Sequence, residues 1–253
     1  QLQYLREGLA QAEALLDSFK NEEANLVLVP LVDQLPHLQQ LYTDLGLRIR
    51  MRQAEALEKD HQDEIAMRKL LEVIEDGQKH RQWNAVANAQ LSLARLYEKI
   101  GQSETCRSKL LQAKATVVHH QLDSIYPRLS IRLASYHRIF GTLDSARYYA
   151  EEVLRTAPPL GQKGETAVGN LLMGMLLSKT DLQASAQYYR KAGNRWKSTK
   201  DYSGYGATMG NLAGLYLWHG FPEQALLYND SSLYAARLDT ASGNDQLTAF
   251  YYY

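Results

Sequence analysis

"NLAGLYLWHGFPEQALLYNDSSLYAARL", residues 211–238, holds two amphipathic stretches separated by Gly220-Phe221-Pro222. In the first, Leu212, Ala213 and Tyr216 stand three or four residues apart, which lines them up on one face of a helix. Glycine at 220 reaches the left-handed conformation that ends a helix and reverses the chain. Pro222 suits the first turn of a second helix, where its missing N–H is no loss. Ala225 is small enough to let that second helix lie close against the first. One such hairpin cannot bury its own apolar stripe, so the motif predicts neighbours of the same kind stacked beside it.

Those neighbours are in the sequence. Leu212, Ala213, Tyr216, Gly220, Ala225 and Asn229 fall in register with Leu133, Ala134, His137, Gly141, Ala146 and Ala150, and with Leu93, Ala94, Tyr97, Gly101, Cys106 and Leu110. A more worn copy runs Leu172, Met173, Leu176, Thr180, Ser185, Tyr189, and an upstream one Ala54, Leu57, His61, Ala66, Leu70, Val73. The leucines at 93, 133, 172 and 212 are spaced by 40, 39 and 40 residues. A fixed period of this length is the signature of a solenoid. In this register glycine at 101, 141 and 220 marks the left-handed turn, and Cys106, the only cysteine, occupies the small buried position rather than that of a nucleophile.

The order small residue, tyrosine, glycine turn, alanine, aromatic, alanine resembles the tetratricopeptide repeat (TPR), and Pro158 stands where that family often closes a unit. The likeness covers residues 47–238. The chain departs from the family pattern in lacking its tryptophan near the start of the first helix and in a period of about 40 against 34. The additional residues would lengthen both helices, as in longer-repeat relatives within bacterial sensors and peptide-responsive regulators. The resemblance implies an all-α, right-handed α-α superhelix of five to six helix-turn-helix repeats with one concave side. The whole chain, 1–253, is expected to form one solenoid: atypical helices over 1–46, repeats over 47–238, and the start of a further, truncated repeat over 239–253. At the amino end a helix over 2–19, a break at Asn21-Glu22-Glu23, a helix ending near Leu35 with a kink or early stop at Pro30, and a long helix from Pro36 to Lys59 are expected. "DQLTAFYYY", 245–253, falls in step with the next unit. It makes no polar cap, so the chain is expected to continue in a parent protein.

Composition narrows the function. Acidic and basic residues balance at 28 each, so no overall field favours nucleic acid or an anionic membrane surface. No apolar run approaches the roughly 20 residues of a membrane-spanning helix. Neither Gln1 nor the residues after it read as a signal segment, which leaves a cytoplasmic or periplasmic setting open. A lone cysteine excludes an internal disulfide and a multi-cysteine metal site.

No catalytic constellation emerges, and neither cofactor nor metal is expected. "GYGATMG", 204–210, follows no strand and lacks the lysine of a phosphate loop; its glycines read as close helix contacts. His119 and His120 are adjacent and diverge by about 100° on a helix. His219 reads as a polar group near helix-end carbonyls. Asn229-Asp230-Ser231 matches a glycosylation acceptor but lies within a helix. The carboxylates around Glu72-Val73-Ile74-Glu75-Asp76 read as a solvated face.

By the resemblance, the inner wall comes from the first helix of each unit. It carries Arg48, Met51, Arg52 and Glu55; then Asn88, Leu91, Ser92 and Arg95; then Arg128, Ile131, Arg132, Ser135 and Arg138; then Asn170, Leu171 and Gly174; and last Asn211, Gly214, Leu217 and Trp218. The pairs 48/52 and 128/132 have the spacing that puts two guanidinium groups on one face, where they repel unless an anion or carboxylate lies between them. Arg128 and Arg132 resemble half of the family's clamp for a peptide carboxylate. Ser92, Met51 and Glu55 stand where the other half would bring asparagines and a lysine. The alternative for the arginines is pairing with local carboxylates. Asn170 and Asn211 can each donate to and accept from an extended backbone. Trp218 either packs in the core or, with Tyr205, supplies an apolar anchor.

The expected function is therefore a protein- or peptide-binding module, with Arg48, Arg52, Arg95, Arg128, Arg132, Asn170, Asn211 and Trp218 as ligand-binding residues. Its expected setting is the sensory or scaffolding part of a bacterial signalling or transcription-regulatory protein, not an enzyme. The competing reading is an assembly scaffold whose groove is filled by its own chain or used in a homodimer. Neither direct nucleic-acid contact nor membrane insertion is expected of this segment.

Overall fold

The computed structural model describes residues 2–17, 20–34 and 43–238. Among these, every regular element is a helix. In chain order they are α1 (Leu2–Asp17), α2 (Asn21–Gln34), α3 (Thr43–Lys59), α4 (Asp63–Lys79), α5 (Trp83–Lys99), α6 (Ser103–His119), α7 (Tyr126–Phe140), α8 (Leu143–Thr156), α9 (Lys163–Leu177), α10 (Leu182–Thr199), α11 (Tyr202–Trp218) and α12 (Pro222–Leu238), with a 3-10 turn at Pro158–Leu160 between α8 and α9. By its contacts the chain divides into two compact units, Gln1–Ile125 and Tyr126–Tyr253. Within each unit, consecutive helices pack against one another in chain order. That is the hairpin stacking which the repeat predicts.

The register read from the sequence places the core. Leu93, Leu133 and Leu172 are buried and Leu212 is fully so. On the second helices the small residues Ala66, Cys106, Ala146 and Ser185 are all at 0% exposure, so side-chain size limits how near the two helices come. In the first unit one apolar cluster joins Leu5, Leu9, Leu28 and Leu31 to Ile49 and Ala56 of α3. A second joins Leu47, Ala54 and Leu57 to Leu70 and Val73 of α4 and to Leu93 and Leu96 of α5. In the second unit Ile131, Ala134, Ala150, Val153, Leu172 and Met173 form one cluster, and Ala186, Tyr189, Met209, Leu212 and Leu215 another. Each cluster takes residues from at least three helices or two adjacent hairpins, so no hairpin holds its core alone. Each fully buried leucine contributes about 1.5–3 kcal/mol relative to leaving it exposed.

The turns repeat more strictly than the glycines suggest. Residues His61, Arg81, Gly101 and Gln121 stand twenty apart and all have positive φ, as do Gly161, Lys200 and Gly220. Each closes its helix with paired backbone hydrogen bonds. Gln62 N reaches Leu57 O at 2.8 Å and His61 N reaches Glu58 O at 3.0 Å; the same pair recurs at Gln82/Arg81, Gln102/Gly101, Leu122/Gln121, Asp201/Lys200 and Phe221/Gly220. These are Schellman closures, and they hold at non-glycine residues because the hydrogen bonds and the packing beyond them fix the backbone. Gly141 departs from expectation: it is not left-handed. A Cβ there would sit 2.4 Å from His137 Nδ1, so the missing side chain serves close approach instead.

Two amino-terminal expectations change. Asn21-Glu22-Glu23 is the first turn of α2 rather than a break, with both acids beside the exposed N–H groups, and α2 runs through Pro30 to Gln34. The expected helix end near Leu35, the helix start at Pro36 and the further repeat over 239–253 lie outside the described residues.

Candidate functional site

In the first unit the wall arginines are held by carboxylates from the preceding repeat. Glu13 of α1 lies between Arg48 and Arg52 of α3, accepting from Arg48 Nη2 at 3.5 Å and from Arg52 Nε at 3.2 Å. Arg52 also donates to Glu55 at 2.7 Å, and Lys59 lies 3.2 Å from the same carboxylate. Burial opposes ionisation of Glu55, but the Arg52 hydrogen bond and the charges of Lys59 and Arg52 outweigh it and hold the carboxyl below its ordinary value. Arg95 of α5 pairs with Glu58 of α3, whose side chain is only 11% exposed. There the balance reverses. Burial pushes the Glu58 carboxyl up despite Arg95 and Lys99. Lys99 itself bonds Asp63 at 2.8 Å. These contacts tie α1 to α3, α3 to α5, and α5 to the start of α4, joining repeat to repeat.

In the second unit Arg128 of α7 donates to Glu165 of α9 at 3.2 Å and keeps half its side chain in solvent. Arg132 is one turn further along α7 and half-buried. Asn170 is buried on α9 and donates Nδ2 to Thr166 O at 2.8 Å; Asn211, half-buried on α11, does the same to Ala207 O at 3.0 Å. Such a bond fixes the amide along its own helix and spends one of its two donor hydrogens. Nearby, burial pushes the Tyr189 phenol up to about 12 against the lowering charge of Arg138.

The carboxyl end of α11 is the most exposed apolar stretch among the first helices; on α7 the residue in register with Trp218, Ile139, is 46% exposed. Trp218 is 76% exposed and Leu217 61%. Trp218 therefore has no core role: it is the last residue of its helix and stands in solvent. Ala207, Asn211, Gly214 and Leu217/Trp218 recur every three to four residues on one face, and a Cβ at Gly214 would meet nothing within 4 Å. His219 closes the helix with Nε2 2.8 Å from the Ser178 carbonyl oxygen beyond α9, the end-of-helix role expected of it.

The glycine-rich stretch serves packing, as expected. A Cβ at Gly204 would lie 2.7 Å from the Trp196 ring, and the carbonyl of buried Gly206 accepts from Ser232 Oγ of α12 at 2.8 Å. Ser185 of α10 makes the matching bond to Gly174 O at 2.8 Å. His119 and His120 meet edge to face with ring centroids 4.6 Å apart, and His120 stacks on Trp83 at 4.0 Å. Among the described residues no group of three His, Cys, Asp or Glu is placed to hold a metal ion, and no helix is long and apolar enough to cross a membrane.

The carboxylates that engage the arginines were missed in reading the wall one helix at a time. Glu13, Glu58 and Glu165 stand 35, 37 and 37 residues from Arg48, Arg95 and Arg128. That is almost one repeat period, so an acid and a base at this separation were the available signal.

No protein-family profile matches the chain, and no curated protein matches it. Solved structures do. The apo form of RapI superposes with a TM-score of 0.74 at 13% identity, over 94% of this chain and 85% of that one. Aspartyl phosphate phosphatase F from Bacillus subtilis gives 0.73 at 13% identity, over 93% and 60%. NprR in complex with its cognate peptide NprX gives 0.69 at 15% identity, over 98% and 73%. The fold is that of a TPR-like helical repeat. At these identities the likeness concerns architecture, and for a TPR-like protein the architecture leaves function to the residues displayed on it.

Proposed function

We propose that this chain is a peptide-binding repeat module, and that an extended segment lies along α7, α9 and α11 of the second unit. The observation that carries this reading is the solvent-exposed face of α11, where Asn211 precedes the open surface at Gly214 and the exposed pair Leu217 and Trp218. A tryptophan left this exposed gains most by covering its ring with a ligand, and large aromatics dominate binding energy when they are so covered. Asn170 and Asn211 each retain an acceptor and a second donor for a peptide backbone. Arg128 and Arg132 suit an acidic or carboxylate-bearing end. The solved complex of the similarly folded NprR with its peptide NprX supports the same use of such a scaffold. The setting consistent with these features is the sensory or scaffolding part of a bacterial regulator.

The second reading, an assembly scaffold, is favoured most in the first unit, although Arg128 makes the same kind of repeat-to-repeat pair with Glu165 in the second. In the first unit Arg48, Arg52 and Arg95 are engaged by Glu13, Glu55 and Glu58, so their first role is joining repeats.

Panning a displayed library of unstructured peptides and titrating the captured sequences by calorimetry tests the proposal. Trp218→Ala and Asn211→Ala should each weaken capture about tenfold or more, equivalent to about 1.4 kcal/mol, with unfolding unchanged. Capture indifferent to both substitutions overturns the site.

A further inference from the structure

The outer face of α12 exposes more large apolar side chains than any second helix before it, four against two on each of α4, α6 and α8 and none on α10. Leu226, Leu227, Tyr234 and Leu238 are 64%, 63%, 59% and 41% exposed. With Glu223, Asp230 and Arg237, also exposed, they follow a three-and-four spacing along a single face. The repeat register separates two kinds of position within it. Leu226 corresponds to Ala186 of α10, which is 1% exposed in a cluster shared with α11; a helix following α12 in the same manner would cover it. Leu227, Tyr234 and Leu238 correspond to Gln187, Asn194 and Ser198, all exposed on α10. Hairpin stacking leaves those positions in solvent; α10 fills all three with polar residues and α8 has Tyr148, 55% exposed, at the first of them, whereas α12 alone carries large apolar or aromatic groups, two leucines and a tyrosine, at all three. Stacking therefore does not account for them.

We infer that this stripe is a self-association surface, on which α12 of a second copy packs antiparallel. The charges on the face choose the partner and its direction. Glu223 begins the helix and Arg237 ends it, with Asp230 midway. An antiparallel copy brings each Glu223 to the Arg237 of its partner and each Leu227 against the other's Tyr234, both contacts occurring twice, as a twofold interface requires. A parallel copy would set Glu223 on Glu223 and Arg237 on Arg237. The two Asp230 side chains lie close to the twofold axis and repel, which limits the affinity. One helix face falls at the small end of specific interfaces, below about 1,200 Å², so the dimer is a reversible one.

Sedimentation equilibrium of the chain across about 1–100 μM, a range that spans weak reversible association, should show a monomer–dimer equilibrium. Leu227→Asp or Tyr234→Asp should weaken it at least tenfold. Both sites are exposed, so thermal unfolding of the diluted variants should match that of the parent. Glu223→Arg alone and Arg237→Glu alone should each weaken association, and the two reversals in one chain should restore it. Asp230→Asn should tighten it. A monomer at every concentration, as when another part of the same chain covers the stripe, overturns the inference. So does a dimer indifferent to Leu227→Asp, or one that the double reversal fails to restore.

Discussion

The wall of the first unit and the end of α11 in the second both belong to first helices of the repeat, yet they serve opposite ends. In the first, Arg48, Arg52 and Arg95 meet carboxylates one repeat away, and Glu58 is nearly enclosed by its pair. In the second, Leu217 and Trp218 occupy the last turn of a first helix and meet nothing comparable. The contrast teaches that a wall residue acquires its role from the repeat beside it. Where the neighbour supplies a complementary group, the residue joins the stack; where it does not, its surface remains for a ligand.

Substitutions can sharpen or break this contrast, the largest effect coming from the core that both regions share. Leu93→Ala in the first unit and Leu212→Ala in the second empty fully buried sites. Each should cost about 2–5 kcal/mol in urea unfolding, and equal costs would show that the units differ in their walls and not in their cores.

Next come the walls. Arg95→Ala leaves the Glu58 carboxylate largely enclosed without its cation and should cost about 1 kcal/mol, a value kept small because Arg95 is itself 43% exposed and screened by water. Trp218→Ala should change stability by less than about 0.5 kcal/mol while weakening peptide capture. The reverse pattern, a destabilised Trp218 variant and a binding-defective Arg95 variant, would invert the assignment of the two regions.

Helix starts also differ along the chain, and Gln162 precedes α9 without a side-chain cap bond even in the second unit. Asp181 and Asp201 cap α10 and α11 by accepting from Ala184 N at 2.9 Å and Gly204 N at 2.7 Å. Gln62, Gln82 and Gln102 precede α4, α5 and α6 without a side-chain cap bond. Gln102→Asp should gain roughly 0.5–1 kcal/mol by supplying the missing acceptor. Gln121→Gly should gain a similar amount, about 0.5–1 kcal/mol, by relieving a left-handed φ of 53° that costs a residue with a Cβ. Thermal melts would read both.

The smallest effect is pH-dependent. The folded Glu55 carboxyl lies below its ordinary 4.5, so its ionised form contributes stability above that value. The contribution is lost as pH falls through the folded value. Glu55→Gln should thus cost a few tenths of a kcal/mol at pH 7, since the group is about one-third exposed and screened. The difference should shrink in urea melts as pH falls below the ordinary 4.5 and vanish only beneath the lower, folded value.

The repeat register was legible because burial acts on single positions: Leu93, Leu133, Leu172 and Leu212 carry the period openly, and so do Ala66, Cys106 and Ala146. The turns were only half legible. Glycine advertises a left-handed residue at 101 and 220, but His61, Arg81, Gln121 and Lys200 adopt the same conformation under the compulsion of closing hydrogen bonds and carry no sign of it. Gly141 gave the opposite false signal, its reason being the nearness of His137. The exposure of Trp218 was hidden for a related cause, since it depends on where a helix stops relative to its partner. Helical period alone does not record that.

The closures spaced twenty residues apart have a consequence for how this chain can change. Each link consists of one left-handed residue and its immediate neighbours, with both hydrogen bonds already used and no slack. One residue added within a helix would turn everything beyond it by about 100°, carrying an oily stripe away from its seat and into water. Growth or loss of length is then tolerated only in whole hairpins, so the scaffold can be extended or shortened by duplication far more readily than it can be adjusted by small insertions.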